Sequence, residues 1–335
     1  MGSLLLILYI IRYGSFLKID HLKMNLSLLE KITALWGNEI GSLKLINEGI
    51  NFVYRFEING KGKILKLTCQ SNRNYKELTS AVDYQRYLFE NKVPIDQPIK
   101  SLQHRYIEEI NYKSEIFFAR VSDEILGQIL QFENDDKNIY KHWGIALAKL
   151  HKTAKIYQPN KQFKFLNWKE IWNEVYGYVQ LEEPKIKNEY SLITDWFNHL
   201  DCDENNFGLN HGDHRIGNVI YNDKNVYLID FDEPVYHWFI ADISRPFLEL
   251  CEFPVFIWRK KLLWYLEGYR SILPIEIKQF NQIPWFIRMK NLELYLWTKN
   301  NWHHPIAPGG ERTDQWLNNR KQMILNPFFS DWFIF

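Results

Sequence analysis

Cysteine is scarce in this sequence: Cys69, Cys202 and Cys251 are the only three in 335 residues, odd in number and far apart. That excludes a disulfide framework and the close spacing of a structural zinc site, and it suits a reduced, cytoplasmic protein. A charge of one sign is missing too. Lys and Arg total 41 against 40 Asp and Glu, so there is no global basic field of the kind that draws a protein to nucleic acid or to an anionic membrane. Long apolar runs are absent. The run Leu4 to Ile11 falls well short of the roughly 20 residues a membrane-spanning helix needs. No Lys or Arg precedes it, no small-residue cleavage site follows, and Leu6 occupies the position where a myristoylation signal carries Ser or Thr. Residues 1–23 therefore read as an N-terminal extension outside the fold, with a peripheral membrane anchor as the other reading. No internal repeat, low-complexity tract or flexible linker interrupts the chain.

Aromatic residues are plentiful at 16%, with 13 Trp, and most of them are expected to pack a core. The length is enough for two domains or one large two-lobed fold.

The most informative stretch is Gly208 to Glu233, GLNHGDHRIGNVIYNDKNVYLIDFDE. His211-Gly212-Asp213 is followed five residues later by Asn218, and Ile229-Asp230-Phe231-Asp232 comes twelve residues after that. Val219 to Tyr221 and Val226 to Ile229 are β-rich and are separated by Asn222-Asp223-Lys224-Asn225, a hairpin turn signal. Closing that hairpin returns Asp230 to the side of Asn218. A carboxamide and a carboxylate so placed suit Mg²⁺, which prefers oxygen ligands and takes only one or two carboxylates from a protein. Asp213, on the loop before the hairpin, is then placed to orient an attacking hydroxyl, the division of labour found in kinases. Two other readings compete. His211, Asp213 and His214 could ligate zinc, although Leu209-Asn210 supplies no further histidine upstream; or the stretch is an ordinary polar hairpin.

At these residues the chain resembles the aminoglycoside phosphotransferase family of small-molecule kinases, which also holds choline kinases and type II homoserine kinases. HGDHRIGN and IDFD carry the resemblance, and further likeness runs from about Met24 to Phe329. It implies an α+β, protein-kinase-like two-lobed fold, with a small β-rich N-terminal lobe at 24–121 and a larger, mainly helical C-terminal lobe at 122–335, hinged about residues 120–127. Periodicity agrees with such a start. A helix is expected from Leu26 to Trp36, strands at 43–46, 52–58 and 64–68, a helix at 73–91 and a strand at 115–121. Helices follow at 140–155, 168–179 and 186–200, then aromatic helices over 254–299 interrupted at Pro274 and Pro284, and a last one at 313–325.

The resemblance also assigns roles. Lys66, on the third strand, would contact the nucleotide phosphates. The turn Glu48 to Phe52 has one glycine where protein kinases have three, and its backbone with the Asn51 side chain would cover those phosphates. Adenine would meet the backbone near Ala119 and Val121. Ala81 stands where relatives have the glutamate that pairs with the lysine, and Glu77 is the substitute expected. His151 and Asp242 are expected to brace the catalytic loop.

The function implied is an ATP- and Mg²⁺-dependent phosphotransferase: Asp213 orients the acceptor hydroxyl, and Asn218 and Asp230 hold the metal. Asp232, Glu233 and Trp238, with Glu249 and Glu252 nearby, suggest an amine-bearing small molecule as acceptor. The loop around His303-His304-Pro305 and Pro308-Gly309-Gly310 is a candidate cover for its cleft. The competing function is a nucleotide-binding regulator without transferase activity. A protein kinase fits less well, because no Gly-rich triplet or APE-like segment is present.

Overall fold

Leu29 and Ile32 fall on one face of a helix that Asn25 starts by accepting a hydrogen bond from the Leu28 amide, 2.8 Å. This is α1 (Leu26–Ala34), the first element of the computed structural model, which describes residues 24–223, 225–250, 255–307 and 310–327. The proposed N-terminal extension, Cys251, Glu252 and Pro308-Gly309 lie outside the described residues.

The chain forms two units. The first comprises the segment up to Phe89 with Asp96–Leu126 and Pro159–Lys164. In it α1 precedes an antiparallel run of β1 (Lys44–Glu48), β2 (Asn51–Ile58) and β3 (Lys61–Cys69), then α2 (Tyr75–Glu90), β4 (Pro98–Ile99), β5 (Glu108–Tyr112) and β6 (Glu115–Asp123). The sheet order is β1-β2-β3-β6-β4, with β5 also on β6. Between β2 and β3, Asn59 and Gly60 both take positive φ, 51° and 68°, the backbone that a two-residue hairpin requires. Strand alternation then sorts the faces. Phe52, Tyr54, Phe56, Leu65, Leu67, Phe117, Ala119 and Val121 bury together with Leu29, Ile32 and Trp36 on the α1 side. Phe118 packs with Leu78 and Val82 of α2 on the other.

The second unit comprises Glu90–Ile95, Gly127–Gln158 and the chain from Phe165. Its elements are β7 (Gln128–Ile129), α3 (Lys137–Ala154), β8 (Leu166–Asn167), α4 (Trp168–Val179), α5 (Pro184–Asn198), β9 (Phe207–Asn210), β10 (Val219–Tyr221), β11 (Val226–Leu228), β12 (Val235–Trp238), α6 (Phe239–Leu250), α7 (Val255–Arg270), α8 (Ile277–Phe280), α9 (Ile283–Asn301) and α10 (Thr313–Leu325). Two small sheets, β11-β10-β7 and β8-β12-β9, lie among these helices. Asn167 and Glu170 form a reciprocal capping box at the start of α4. The helical run over 254–299 breaks around Pro274 and again just before Pro284, which lies in the first turn of α9, where its missing N–H costs nothing. No helix among the described residues is long and apolar enough to cross a membrane.

Candidate active site

The loop between β9 and β10 carries His211, Gly212 and Asp213 and ends in a single 3₁₀ turn, Ile216–Asn218. Asn218 donates its amide hydrogens to the Asp213 carbonyl (2.8 Å) and to Asp213 Oδ2 (3.1 Å). The nitrogen is thereby committed inside the loop, and Oδ1 is the group the carboxamide retains for another partner. The β10–β11 hairpin pairs Val219 with Leu228, and its ladder continues through the Ile229 N–H to the Asn218 carbonyl, 3.0 Å. The hairpin thus places Asp230 one residue beyond the position directly opposite Asn218, as the turn signal required. His211 closes the circuit by donating from Nε2 to the Ile229 carbonyl, 3.0 Å. Asp230 itself sits at φ 71°, a left-handed conformation that is uncommon outside glycine and that clusters at functional sites.

Gly212 also has positive φ, 89°, and a Cβ there would run into the Glu233 carbonyl. Only glycine lets the loop and the segment after Asp230 approach so closely.

Asp213 keeps 26% of its side chain exposed and is held by cations on both oxygens: Arg245 at Oδ1 and Arg215 at Oδ2, each at 3.2 Å. Burial alone would raise its carboxyl, but Arg245, Arg215 and then Lys290 reverse this and keep it well below the ordinary carboxylate range. Neither arginine was identified from the sequence. Arg215 had a signal, being two residues from the aspartate; Arg245 had none short of the three-dimensional fold.

Asp242, near the start of α6 and 2% exposed, braces the loop. Its Oδ2 accepts from the His211 amide (2.7 Å) and His151 Nε2 (3.2 Å), and its Oδ1 from the Gly212 amide (3.1 Å). Tyr269 supports His151 from behind, O to Nδ1 2.8 Å. Burial pushes the Asp242 carboxyl up, yet the hydrogen bond from His151 and the neighbouring imidazoles leave it at about 2. Both residues thus have the bracing role expected of them. His214 is buried as well, with Nε2 on the Tyr265 hydroxyl at 3.2 Å and its ring 5.4 Å from that of Trp143. Among the described residues no three His, Cys, Asp or Glu side chains are grouped to hold a metal, and His211 and His214 direct ring nitrogens at a carbonyl and a phenol. The zinc reading therefore fails.

Burial lowers His214 from 6.5 to about 3, and burial also lowers His151. A histidine kept neutral in the fold takes its proton more readily once unfolded, so acid favours unfolding. Stability is expected to fall as pH drops below about 6.5, by up to roughly 1.4 kcal/mol per pH unit for each such histidine. Urea titrations at pH 7.5 and 5 check this; equal midpoints would reject it.

The remaining candidates divide. Lys66 faces the α2 side of the sheet, opposite in alternation to the buried Leu65 and Leu67. It lies on a strand flanked on both sides, in register with Val53 and Arg120. Asn51 accepts from the Thr68 hydroxyl, 2.7 Å, at the first residue of β2. Glu77 does not take the place of the missing glutamate: its carboxylate accepts from the Asn74 amide (3.2 Å) while Asn74 accepts from the Glu77 amide (3.0 Å), a capping box at the start of α2. Ala81 is buried.

The backbone of Ala119 and Val121 is also not placed for adenine. Both are interior to β6, paired with Leu67 and Leu65 of β3 on one side and with Glu108 of β5 and Ile99 of β4 on the other. Trp238 is 3% exposed, its indole donates to the Asp201 carbonyl at 2.7 Å, and its ring packs with Trp168, Phe197 and Phe207. It is a core residue rather than a substrate contact, because β12 turns it inward. Asp232 is buried and Glu233 partly so. Glu249 is paired with Arg245, 3.2 Å.

The loop thus braces Asp213, and the hairpin returns Asp230 toward Asn218, the arrangement read from the HGD and IDFD motifs. The chain belongs to the phosphotransferase enzyme family, which matches residues 42–259; the motifs had pointed to this family. Among curated proteins, amicoumacin kinase of Bacillus subtilis (strain 168) is 22% identical over 277 residues, covering 80% of this chain and 82% of that protein. A solved amicoumacin kinase, in complex with AMP-PNP, Ca²⁺ and Ami, superposes with a TM-score of 0.82 at 20% identity, covering 94% of this chain and 97% of that one. A microcompartment-associated aminopropanol kinase gives 0.74 at 16% identity, covering 90% and 95%. The fold is thus the α+β, kinase-like one expected.

Proposed function

We propose that the enzyme moves the γ-phosphoryl group of ATP to a hydroxyl of a small molecule with the help of Mg²⁺. The observation that carries this reading is the hydrogen-bonded circuit from Asp213 through Asn218 and Ile229 to His211, because it fixes one carboxylate on the loop and delivers a second beside a carboxamide. The donor set fits a hard cation: Asn218 Oδ1 and the Asp230 carboxylate are oxygens, and the Asn218 nitrogen is turned to Asp213. These two residues would hold the metal, whose part when bound is to neutralise charge on the phosphate oxygens. By the family resemblance Lys66, on β3, is the lysine that would contact nucleotide phosphates.

Asp213 accepts a hydrogen bond from the acceptor hydroxyl and aims its oxygen at the phosphorus. Its two arginine partners keep it ionised, which makes it a positioning anion more than a strong base. Catalysis then rests on alignment and charge neutralisation, as in other phosphoryl transfers.

An amine-bearing alcohol is the proposed acceptor class. Glu233 and Asp232, next to Asp230, support it, and so do relatives named for amicoumacin and aminopropanol. The test is ADP release from ATP with amicoumacin, spectinomycin, 1-aminopropan-2-ol and glucose, each with and without Mg²⁺. Metal-dependent turnover highest on an amine-bearing acceptor is expected; highest turnover on glucose rejects the amine. Metal-independent binding of ATP without ADP release on any acceptor would instead favour a nucleotide-binding regulator, the reading that Ala81 and the capping role of Glu77 support.

A further inference from the structure

Helix α6 does more than supply the Asp242 brace. Asp242, Arg245 and Glu249 recur at spacings of three and four residues and so share one face of the helix. Down that face, Asp242 holds the amides of His211 and Gly212, and Arg245 holds the next residue by its side chain, with its terminal nitrogen 3.2 Å from Asp213 Oδ1. Glu249, one turn further on, anchors the other terminal nitrogen of the same guanidinium at 3.2 Å. Arg245 is 9% exposed, so its planar head is fixed between the two carboxylates rather than sampling solvent.

The two oxygens of Asp213 are unequal in consequence. Oδ2 belongs to the loop: it meets Arg215 and Asn218, both within five residues. Among the described residues Oδ1 meets Arg245 alone, as an ion pair at 3.2 Å rather than a hydrogen bond, so its lone pairs can receive an incoming hydroxyl. The charged neighbours are mixed: Lys290 pairs with Glu293 on α9 at 2.7 Å, and both lie close enough to act on Arg245 or Asp213.

We propose that Arg245 is a positioning residue for phosphoryl transfer: held by Glu249, it sets the rotation of the Asp213 carboxylate so that Oδ1 receives the acceptor hydroxyl. This rests on the assignment of Asp213 as the residue that orients the acceptor. Glu249 thereby leaves the group of acids offered to an amine and becomes the support of the arginine.

Four variants test this: Arg245→Gln, Arg245→Lys, Glu249→Gln and Asp213→Asn, with Arg245→Gln also placed on Asp213→Asn. Turnover is read as ADP release from MgATP with the best acceptor of the panel above, and with water alone. Arg245→Gln is expected to lower kcat about 10-fold or more, since misplacing a reacting group by an ångström costs up to roughly 100-fold, with KM for ATP unchanged. Arg245→Lys should recover part of that loss, and Glu249→Gln should lose less. On the Asp213→Asn background, Arg245→Gln should add nothing, because the arginine acts only through the carboxylate. A further loss on that background, or equal kcat in Arg245→Gln and the parent, overturns the proposal.

A crystal structure of Arg245→Gln gives an answer that does not depend on turnover: the Asp213 carboxylate should be rotated while its Asn218 contact persists, and an unmoved carboxylate overturns the proposal. Should Asp213→Asn itself leave kcat unchanged, the assignment of Asp213 fails instead, and the crystallographic result still decides whether Arg245 sets its rotation. Arg245→Lys serves if Arg245→Gln does not fold.

Discussion

Asp213→Ala should lower kcat by at least about 100-fold, within the range expected when a group that aligns and partly deprotonates a nucleophile is removed, while nucleotide affinity changes by no more than a few-fold. The asymmetry follows from the assigned roles, since Asn218 keeps its hydrogen bond to the Asp213 carbonyl when the carboxylate is removed. Asp213 lies on the loop before the hairpin and contacts Arg245, Arg215 and Asn218; the residues assigned to the nucleotide and metal are Lys66, Asn218 and Asp230. Deleting the carboxylate also leaves two arginines without their shared anion, so Asp213→Asn, which keeps the shape, is the better companion variant. Nucleotide affinity is measured by calorimetry with a non-hydrolysable ATP analogue. An unchanged kcat would remove Asp213 from the role.

Asp242→Ala is expected to cost stability first and activity with it. Three donors, the His211 amide, the Gly212 amide and His151 Nε2, converge on this carboxylate. Each buried donor left without an acceptor costs about 1–3 kcal/mol, partly offset because the desolvated charge is gone too, so a net loss of roughly 3–5 kcal/mol is expected. That is a large share of the 5–15 kcal/mol typical of a folded domain. Urea unfolding at pH 7 reads it directly, and a loss under about 1 kcal/mol would show that the loop holds its shape without the brace. Asp242 titrates at about 2 against 3.8 unperturbed. A carboxyl whose value is depressed by folding contributes at every pH above its unfolded value, and the contribution disappears as pH falls from about 4 to about 2. The brace is therefore intact throughout the range in which the buried histidines have already begun to weaken the fold.

Much of this molecule is legible in the chain because its longer elements are periodic. Trp168–Val179 and Thr313–Leu325 form helices with the bounds that periodicity suggests, and the Asn-Asp-Lys-Asn turn sets the pairing that returns Asp230 to Asn218. The short strands β4, β5, β7, β8, β9 and β12 have two to five residues each, too few for a period to show. Side-chain roles were hardest to read where direction matters more than position. Trp238 is next to acidic residues in sequence but turned into the core, and Glu77 is near the right place on α2 but occupied at its N-terminus. Arg245 lies 32 positions after Asp213 and meets it only because α6 packs behind the loop.

The burial of Trp238 has an optical consequence. Together with Trp168 and Trp172 it forms a group of indoles shielded from water, whose emission should be blue-shifted and should move to the red when this packing collapses. Their emission would then report melting of the helical unit, whereas Trp143, whose ring lies 5.4 Å from that of His214 beside Asp213, is the indole to follow when an acceptor arrives.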